Sequence, residues 1–288
     1  MTPARVWIQG ARPRTLGAAF VPVIVGTAAA GNATVMRTAA CLVVAVALQV
    51  GVNYANDYFD GVRGVDTAAR VGPVRLTVSG LATSSAVKRA ALLSFAVAAA
   101  VGLWVGIALR PFVLVIGAAA ILAAVGYSGG PKPYASRGMG EVFVFVFFGL
   151  AATAGTAYVQ AGGVSAGVWL ASVAVGLLAV AILMANNIRD IATDTAAGKR
   201  TLAVRLGDRR ARSAYDIAML APFGLVLVGI ATRWFPGNAL SCFIGLLFVV
   251  PAVRLARRAA GPDMIRLLVM TARAQLIFGL LLAEALWR

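Results

Sequence analysis

Nine apolar stretches, each close to the length that crosses a lipid bilayer, take up most of this chain of 288 residues. A spanning helix needs about 20 apolar residues, and in lipid its backbone groups must find partners within the segment itself. The stretches fall at 15–31, 38–58, 87–109, 111–127, 141–161, 166–188, 213–232, 238–256 and 265–286. Only Arg110-Pro111 separates the third from the fourth, and proline there ends one helix and opens the next. The expected fold is all-α: a polytopic membrane protein with a bundle of nine transmembrane helices. No linker divides it, so residues 1–288 read as a single domain.

Hydrophobic residues make up 61% of the chain and charged residues 12%, with a mean hydropathy of +0.88. Soluble domains are nearer half apolar and a quarter charged. The net charge of +16 would suggest nucleic acid in a soluble chain. Here no basic soluble domain exists to bind it, so nucleic acid is set aside as a partner. The basic residues instead mark loops that face anionic lipid. With the N-terminus in the cytoplasm, the inner segments and their flanks hold 21 Lys and Arg and the outer ones hold 4. That asymmetry predicts a multi-pass protein of the cell membrane with the lipid bilayer as its surroundings. No protein partner is evident.

Arg5, Arg12 and Arg14 precede the first stretch, which reads as an uncleaved anchor rather than a signal peptide. There is no histidine, which removes imidazole acid–base catalysis and histidine metal sites. Cys41 and Cys242 sit inside apolar stretches without metal-ligand spacing, so they read as small hydrophobes.

Ten residues are acidic, and four of them fall in two polar segments that resemble each other. The first is Asn53-Tyr-Ala-Asn56-Asp57-Tyr-Phe-Asp60, at the end of the second span. The second is Asn186-Asn187-Ile-Arg189-Asp190-Ile-Ala-Thr-Asp194, at the end of the sixth. Asn53, Asp57 and Asp60 share a helix face, as do Asn186, Asp190 and Asp194. The four-helix interval suggests two related halves of about four helices each, with a site between them. Both segments end on the cytoplasmic side.

Carboxylates at a membrane edge are costly unless a cation offsets them. Two of them ~6 Å apart repel by roughly 3 kcal/mol at an effective dielectric of ~20. Mg²⁺ suits them, because it takes a few carboxylates plus phosphate oxygens and water. The simpler alternative is that the acids pair with Arg63, Arg189 and Lys199. Basic residues follow both segments: Arg70 and Arg75 the first, Lys199 and Arg200 the second. Such groups can clamp the oxygens of a departing diphosphate. Arg205, Arg209, Arg210 and Arg212 read as ordinary loop charges. A third inner loop, Tyr127-Ser-Gly-Gly-Pro-Lys132-Pro-Tyr134, reads first as turns. Its Tyr127, Lys132 and Tyr134 are candidates for a wall of the site. Glu141 could be a further acid of the site, but a charge favoured at a helix N-terminus is the preferred reading.

These residues resemble the UbiA superfamily of intramembrane prenyltransferases. The resemblance rests on Asn-Asp-Tyr-Phe-Asp at 56–60 with Gly64 and Asp66, Arg-x-Gly-Pro-x-Arg at 70–75 and Gly-Gly-Pro-Lys-Pro-Tyr at 129–134. Its most specific part is Asn-Asn-Ile-Arg-Asp-x-x-Thr-Asp-x-x-x-Gly-Lys-Arg-Thr-Leu at 186–202. The nearest branch is the one that prenylates 1,4-dihydroxy-2-naphthoate. The resemblance implies that Asp57, Asp60, Asp190 and Asp194 hold Mg²⁺ and diphosphate, with Lys199 and Arg200 beside it. It implies that Asn53, Asn56, Arg70, Arg75, Tyr127, Lys132, Tyr134, Asn186, Asn187 and Arg189 bind substrate. The superfamily spacing Asn-x-x-x-Asp-x-x-x-Asp puts Gly61 where an acid is expected, so the sharing of ligand duty among Asp57, Asp60 and Asp66 stays open.

The implied reaction moves a polyprenyl group from its diphosphate to the aromatic acceptor, with loss of CO₂, giving a demethylmenaquinol for menaquinone biosynthesis. Another acceptor such as 4-hydroxybenzoate is the nearest alternative. A CDP-alcohol phosphotransferase is rejected, because Gly64-Val65 stands where its signature has Ala-Arg. A cation-coupled transporter would carry its acids near mid-membrane on broken helices, not beside basic loops.

Overall fold

Where lipid replaces water, a chain saves its backbone hydrogen bonds by coiling, and this one does so nearly throughout. The computed structural model of the chain describes residues 3–64, 75–130 and 133–287, and every regular element among them is helical. Seven helices are long and apolar enough to cross a membrane. They are α3 (Val35–Val62), α4 (Ser84–Ala108), the continuous helix Gly140–Ala161, α8 (Ala166–Arg189), α10 (Leu202–Ala231), the helix Gly237–Ala256, and α12 (Asp263–Leu286). Two shorter apolar helices, α2 (Gly17–Ala29) and α5 (Phe112–Ser128), occupy the first and fourth apolar stretches. The chain is thus a multi-pass membrane protein by its helices. Leu93, Ile107, Val115, Leu122, Ile217 and Leu247 are all more than 60% exposed, which suits lipid and not water.

Small residues bring the helices close. Gly149 and Gly176 meet so tightly that a Cβ on Gly149 would lie 2.5 Å from the Gly176 Cα. Gly279 faces Val21 in the same way, at 2.3 Å, locking α12 against α2. The main core lies along α8, where Ala171, Ala174, Val175, Leu178 and Ala181 are fully buried against α10, α12 and α2.

Four features depart from the nine apolar stretches. An amphipathic helix, α1 (Pro3–Ala11), precedes the first span and packs Val6 and Trp7 against Tyr54 of α3. The helix Gly140–Ala161 comprises α6 (Gly140–Val144), a π-helical stretch (Phe145–Ala151) and α7 (Ala152–Ala161). Such stretches often accompany functional sites. The helix Gly237–Ala256 opens with a 3₁₀ stretch before α11 (Leu246–Ala256). Helix α10 starts at Leu202, not 213, because its first turns are charged and amphipathic. Gly207, at φ 73°, kinks it there. At Arg110-Pro111 the chain breaks where expected, between Ala108 and Phe112.

Candidate active site

The C-terminal ends of α3 and α8, with the short helix α9 (Ile191–Ala196) next in the chain, close around one end of a cavity of about 720 Å³. Asn53, Asn56 and Asp60 line it from the first segment and Asn186, Asn187, Arg189, Asp190 and Asp194 from the second, joined by Arg75 and Lys199 from the stretches that follow. The cavity then runs along α3 as far as Cys41, 19 residues from Asp60 and so about 28 Å of helix. This stretch is apolar, walled by residues such as Leu48, Leu114, Ile121 and Phe148. Leu103 of α4 lines it while remaining 52% exposed, so the wall is not sealed at that flank.

The two acidic segments meet through one lysine. Lys199 Nζ lies 3.6 Å from Asp60 Oδ1 and 4.0 Å from Asp194 Oδ1. Those two oxygens are therefore at most about 8 Å apart, the two contacts laid end to end. Local backbone geometry aims the lysine. The Lys199 N–H donates to the Asp194 carbonyl at 2.8 Å, closing the turn after α9, and Gly198 takes the left-handed conformation (φ 70°) that a side chain resists. Arg75 Nη2 donates to Asp60 Oδ2 at 3.0 Å. Arg189 grips Asp190 with two bonds of 2.7 Å, and both side chains are nearly buried.

Asp57 is used differently. Its two oxygens accept the backbone N–H groups of Leu76 (2.7 Å) and Thr77 (3.1 Å), and it does not line the cavity. It is 1% exposed. The turn after Arg75 docks on this face of α3 so closely that a Cβ on Gly61 would meet Thr77 at 2.8 Å. That explains why the Asn53–Asp57 series continues with glycine: the position touches the docked turn, not the cavity. The face carrying Asn56 and Asp60 is the one turned to the second segment.

The amides hold the frame. Asn53 donates to the Ala11 carbonyl (2.9 Å), and Asn56 accepts from Ser128 Oγ at the end of α5. Asn186 donates to Ile182 O (3.1 Å) within α8, and Asn187 donates to Glu141 Oε1 (2.8 Å). Tyr127, Tyr134, Phe143 and Phe147 form a row along the wall, with Tyr134 stacked on Phe143 at 3.8 Å. Burial, and then Tyr127 beside it, raises the Tyr134 phenol above its ordinary pKa, so it stays a neutral donor, bonded to Ala123 O. Arg200 is exposed and outside the cavity, and its N–H bonds Ser136 O (2.9 Å). Arg70 and Lys132 lie outside the described residues, as does Asp66.

The sequence profile described as the UbiA prenyltransferase family matches residues 19–274. This chain belongs to the UbiA prenyltransferase family. A relative in Mycobacterium tuberculosis (strain ATCC 25618 / H37Rv), named 1,4-dihydroxy-2-naphthoate octaprenyltransferase, is 45% identical over 97% of this chain and 96% of its own length. A relative of the same name in Escherichia coli (strain K12) is 37% identical over 88% of this chain and 84% of its own. Among solved structures, a UbiA homologue from Aeropyrum pernix K1 superposes with a TM-score of 0.72 at 17% identity, covering 93% of this chain and 96% of that one. One from Archaeoglobus fulgidus, bound to DMAPP and Mg²⁺, gives 0.67 at 15% identity, covering 96% and 99%.

For a UbiA prenyltransferase the cavity also holds residues that the sequence reading did not assign to its wall, and Arg63, expected there to pair with an acid, pairs with none among the described residues. Arg12 lines it from a left-handed backbone conformation (φ 54°), unusual for a side-chain-bearing residue. Arg63 lines it too, yet its guanidinium bonds the Ser128 and Gly130 carbonyls of the α5 end instead of an acid. Phe143 and Phe147, at i and i+4 on the helix after Glu141, were visible only as apolar residues of a span.

Proposed function

We propose that this protein transfers a polyprenyl group from its diphosphate to 1,4-dihydroxy-2-naphthoate, with loss of CO₂ and diphosphate, to give demethylmenaquinol. The observation that carries the reading is Lys199 held between Asp60 of the first segment and Asp194 of the second. Two helix ends from different halves of the chain meet there around a positive charge. The names of relatives at 37–45% identity over most of the chain supply the acceptor.

Mg²⁺ fits this donor set. Asp60, Asp190 and Asp194 offer oxygen ligands, which a hard cation prefers, and a cation already sits between two of the acids. Among the described residues no three acids cluster tightly enough to cage an ion alone. A site completed by diphosphate oxygens has no need of that, because Mg²⁺ commonly binds through one or two carboxylates plus phosphate. Asp60, Asp190 and Asp194 would hold it, and bound there it would neutralise the charge that grows on the diphosphate. Asp57 serves the site by anchoring the turn that presents Arg75.

In the reaction the allylic C–O bond breaks and its electron pair leaves with the diphosphate. Lys199 and Arg189 stand where they stabilise those oxygens. The row Tyr127–Tyr134–Phe143–Phe147 presents aromatic rings to the allylic cation and keeps water from it. The ring carbon that bears the carboxylate bonds to the cation, and the C–CO₂ bond then breaks, returning its electron pair to the ring as CO₂ leaves. The tail lies along the apolar length of the cavity.

The same reading has nine membrane-crossing segments in a single domain, α2 and α5 being the two short ones, with the N-terminus and active site at the cytoplasmic face of the cell membrane. The 21-to-4 distribution of basic residues supports that orientation. The deciding experiment measures turnover of the purified protein on a matrix of acceptors and prenyl diphosphates, with and without EDTA. Turnover of dihydroxynaphthoate that EDTA stops is the expected result; turnover of 4-hydroxybenzoate alone would reassign the acceptor.

A further inference from the structure

The reaction as described leaves Glu141 without a part. It is 5% exposed, opens α6, and accepts from Asn187 Nδ2 at 2.8 Å through Oε1, while Oε2 has no hydrogen-bond partner among the described residues. Glu141 itself does not line the cavity, but Asn187 does. The close approach is built in: a Cβ on the preceding Gly140 would lie 3.3 Å from Leu183 of α8 and 3.8 Å from the Tyr127 hydroxyl.

Glu141 Oε1 is an acceptor in this contact, which sets which way round the Asn187 amide stands. The NH₂ faces Glu141, and no described residue donates to the carbonyl Oδ1 of Asn187, itself a residue of the cavity lining. Asn187 lies about one turn of α8 before Asp190, and both line the cavity, so Asn187 stands beside the acids assigned to the diphosphate. An amide free to flip would offer the cavity a donor or an acceptor alike. One pinned by a carboxylate offers an acceptor only.

We propose that Glu141 is a positioning residue that fixes Asn187 as a hydrogen-bond acceptor for a ring hydroxyl of the aromatic substrate. The site thereby selects a hydroxylated ring and turns its electron-rich carbon toward the allylic cation. A buried acceptor that a hydroxyl satisfies is left unpaired by a ring lacking one, which gives discrimination and not only affinity. The inference rests on the prenyltransferase reading above.

The test uses the purified full chain, with Mg²⁺, a prenyl diphosphate and whichever hydroxylated aromatic acceptor the wild type turns over best. Asn187→Leu and Glu141→Gln should each raise the acceptor KM about tenfold, the worth of one hydrogen bond. In Glu141→Gln the KM for the prenyl diphosphate should stay within about twofold. The exchange Glu141→Gln with Asn187→Asp should restore the acceptor KM. The amide introduced on α6 can then donate to the carboxylate introduced on α8, whose second oxygen is left facing the cavity. The acceptor's O-methyl ether should be poor for the wild type and no poorer for Asn187→Leu. An unchanged acceptor KM in Glu141→Gln overturns the inference, as does a parallel rise in both KM values, the mark of a merely structural pair. A wild type inert toward every aromatic acceptor removes the prenyltransferase reading and this inference together, whereas an active wild type matched by Glu141→Gln removes only the inference.

Discussion

The two acidic segments look alike as strings and are used differently. At the end of α8, Asn186, Asp190 and Asp194 keep to one side and all three line the cavity. At the end of α3, the series Asn53–Asp57–Gly61 divides. Asn53 ties down the end of α1, Asp57 disappears under the Leu76–Thr77 turn, and Gly61 makes room for that turn. The neighbouring series Asn56–Asp60 supplies the cavity instead. The difference lies in how the chain continues beyond each segment. After α8 it turns back at once through α9 and Gly198, sending a basic side chain toward the acids. Beyond α3 the turn at Arg75–Gly80 packs back against that helix, and its amides need a buried anchor. One carboxylate of the first segment is that anchor.

This division of labour can be broken by mutation. The largest effect belongs to Asp60→Asn and Asp194→Asn, which should each lower kcat of the folded protein by about a thousandfold, the range for losing a group that stabilises transition-state charge. Activity within tenfold of wild type in either would separate that residue from the site. Lys199→Met should cost about a hundredfold in kcat. It should also lower the melting temperature of EDTA-treated protein more than that of Mg²⁺-loaded protein, because the lysine is the cation between the acids when no other is there. An equal shift in both states would contradict its place in the geometry.

Asp57→Asn sharpens the contrast most directly. It should cost about 2 kcal/mol of stability, since a buried acceptor of two amides loses its charge and one of its oxygens. The folded fraction should keep activity within about tenfold. A variant that melts like wild type yet is inactive would return Asp57 to the metal. The smallest effect is expected for Arg200→Ala, within about twofold in every kinetic constant, because the side chain is exposed and outside the cavity. A tenfold loss there would show that Arg200 reaches the diphosphate.

Much of this was readable in advance, for physical reasons. Lipid forces long apolar helices, so the stretches around α3, α4, α8 and α12 stood out, and Pro111 marked the break between α4 and α5. The α1 helix, the Gly207 kink and the π-helical stretch did not show, because each depends on packing and not on length or hydropathy. Helical spacing named Asp57 and Asp60 together, since residues three apart share a face. What lies opposite that face is decided by a turn almost twenty residues later. Glu141 and Asn187 are 46 residues apart, and no local pattern joins them. Arg12 was counted as a loop charge, and only its backbone conformation and its place in the cavity set it apart.

The exposed flank at Leu103 makes the apolar passage a slot and not a closed well. A tail longer than the passage has room to run on past Leu103. The finished molecule could then slip sideways among the lipids without ever meeting water.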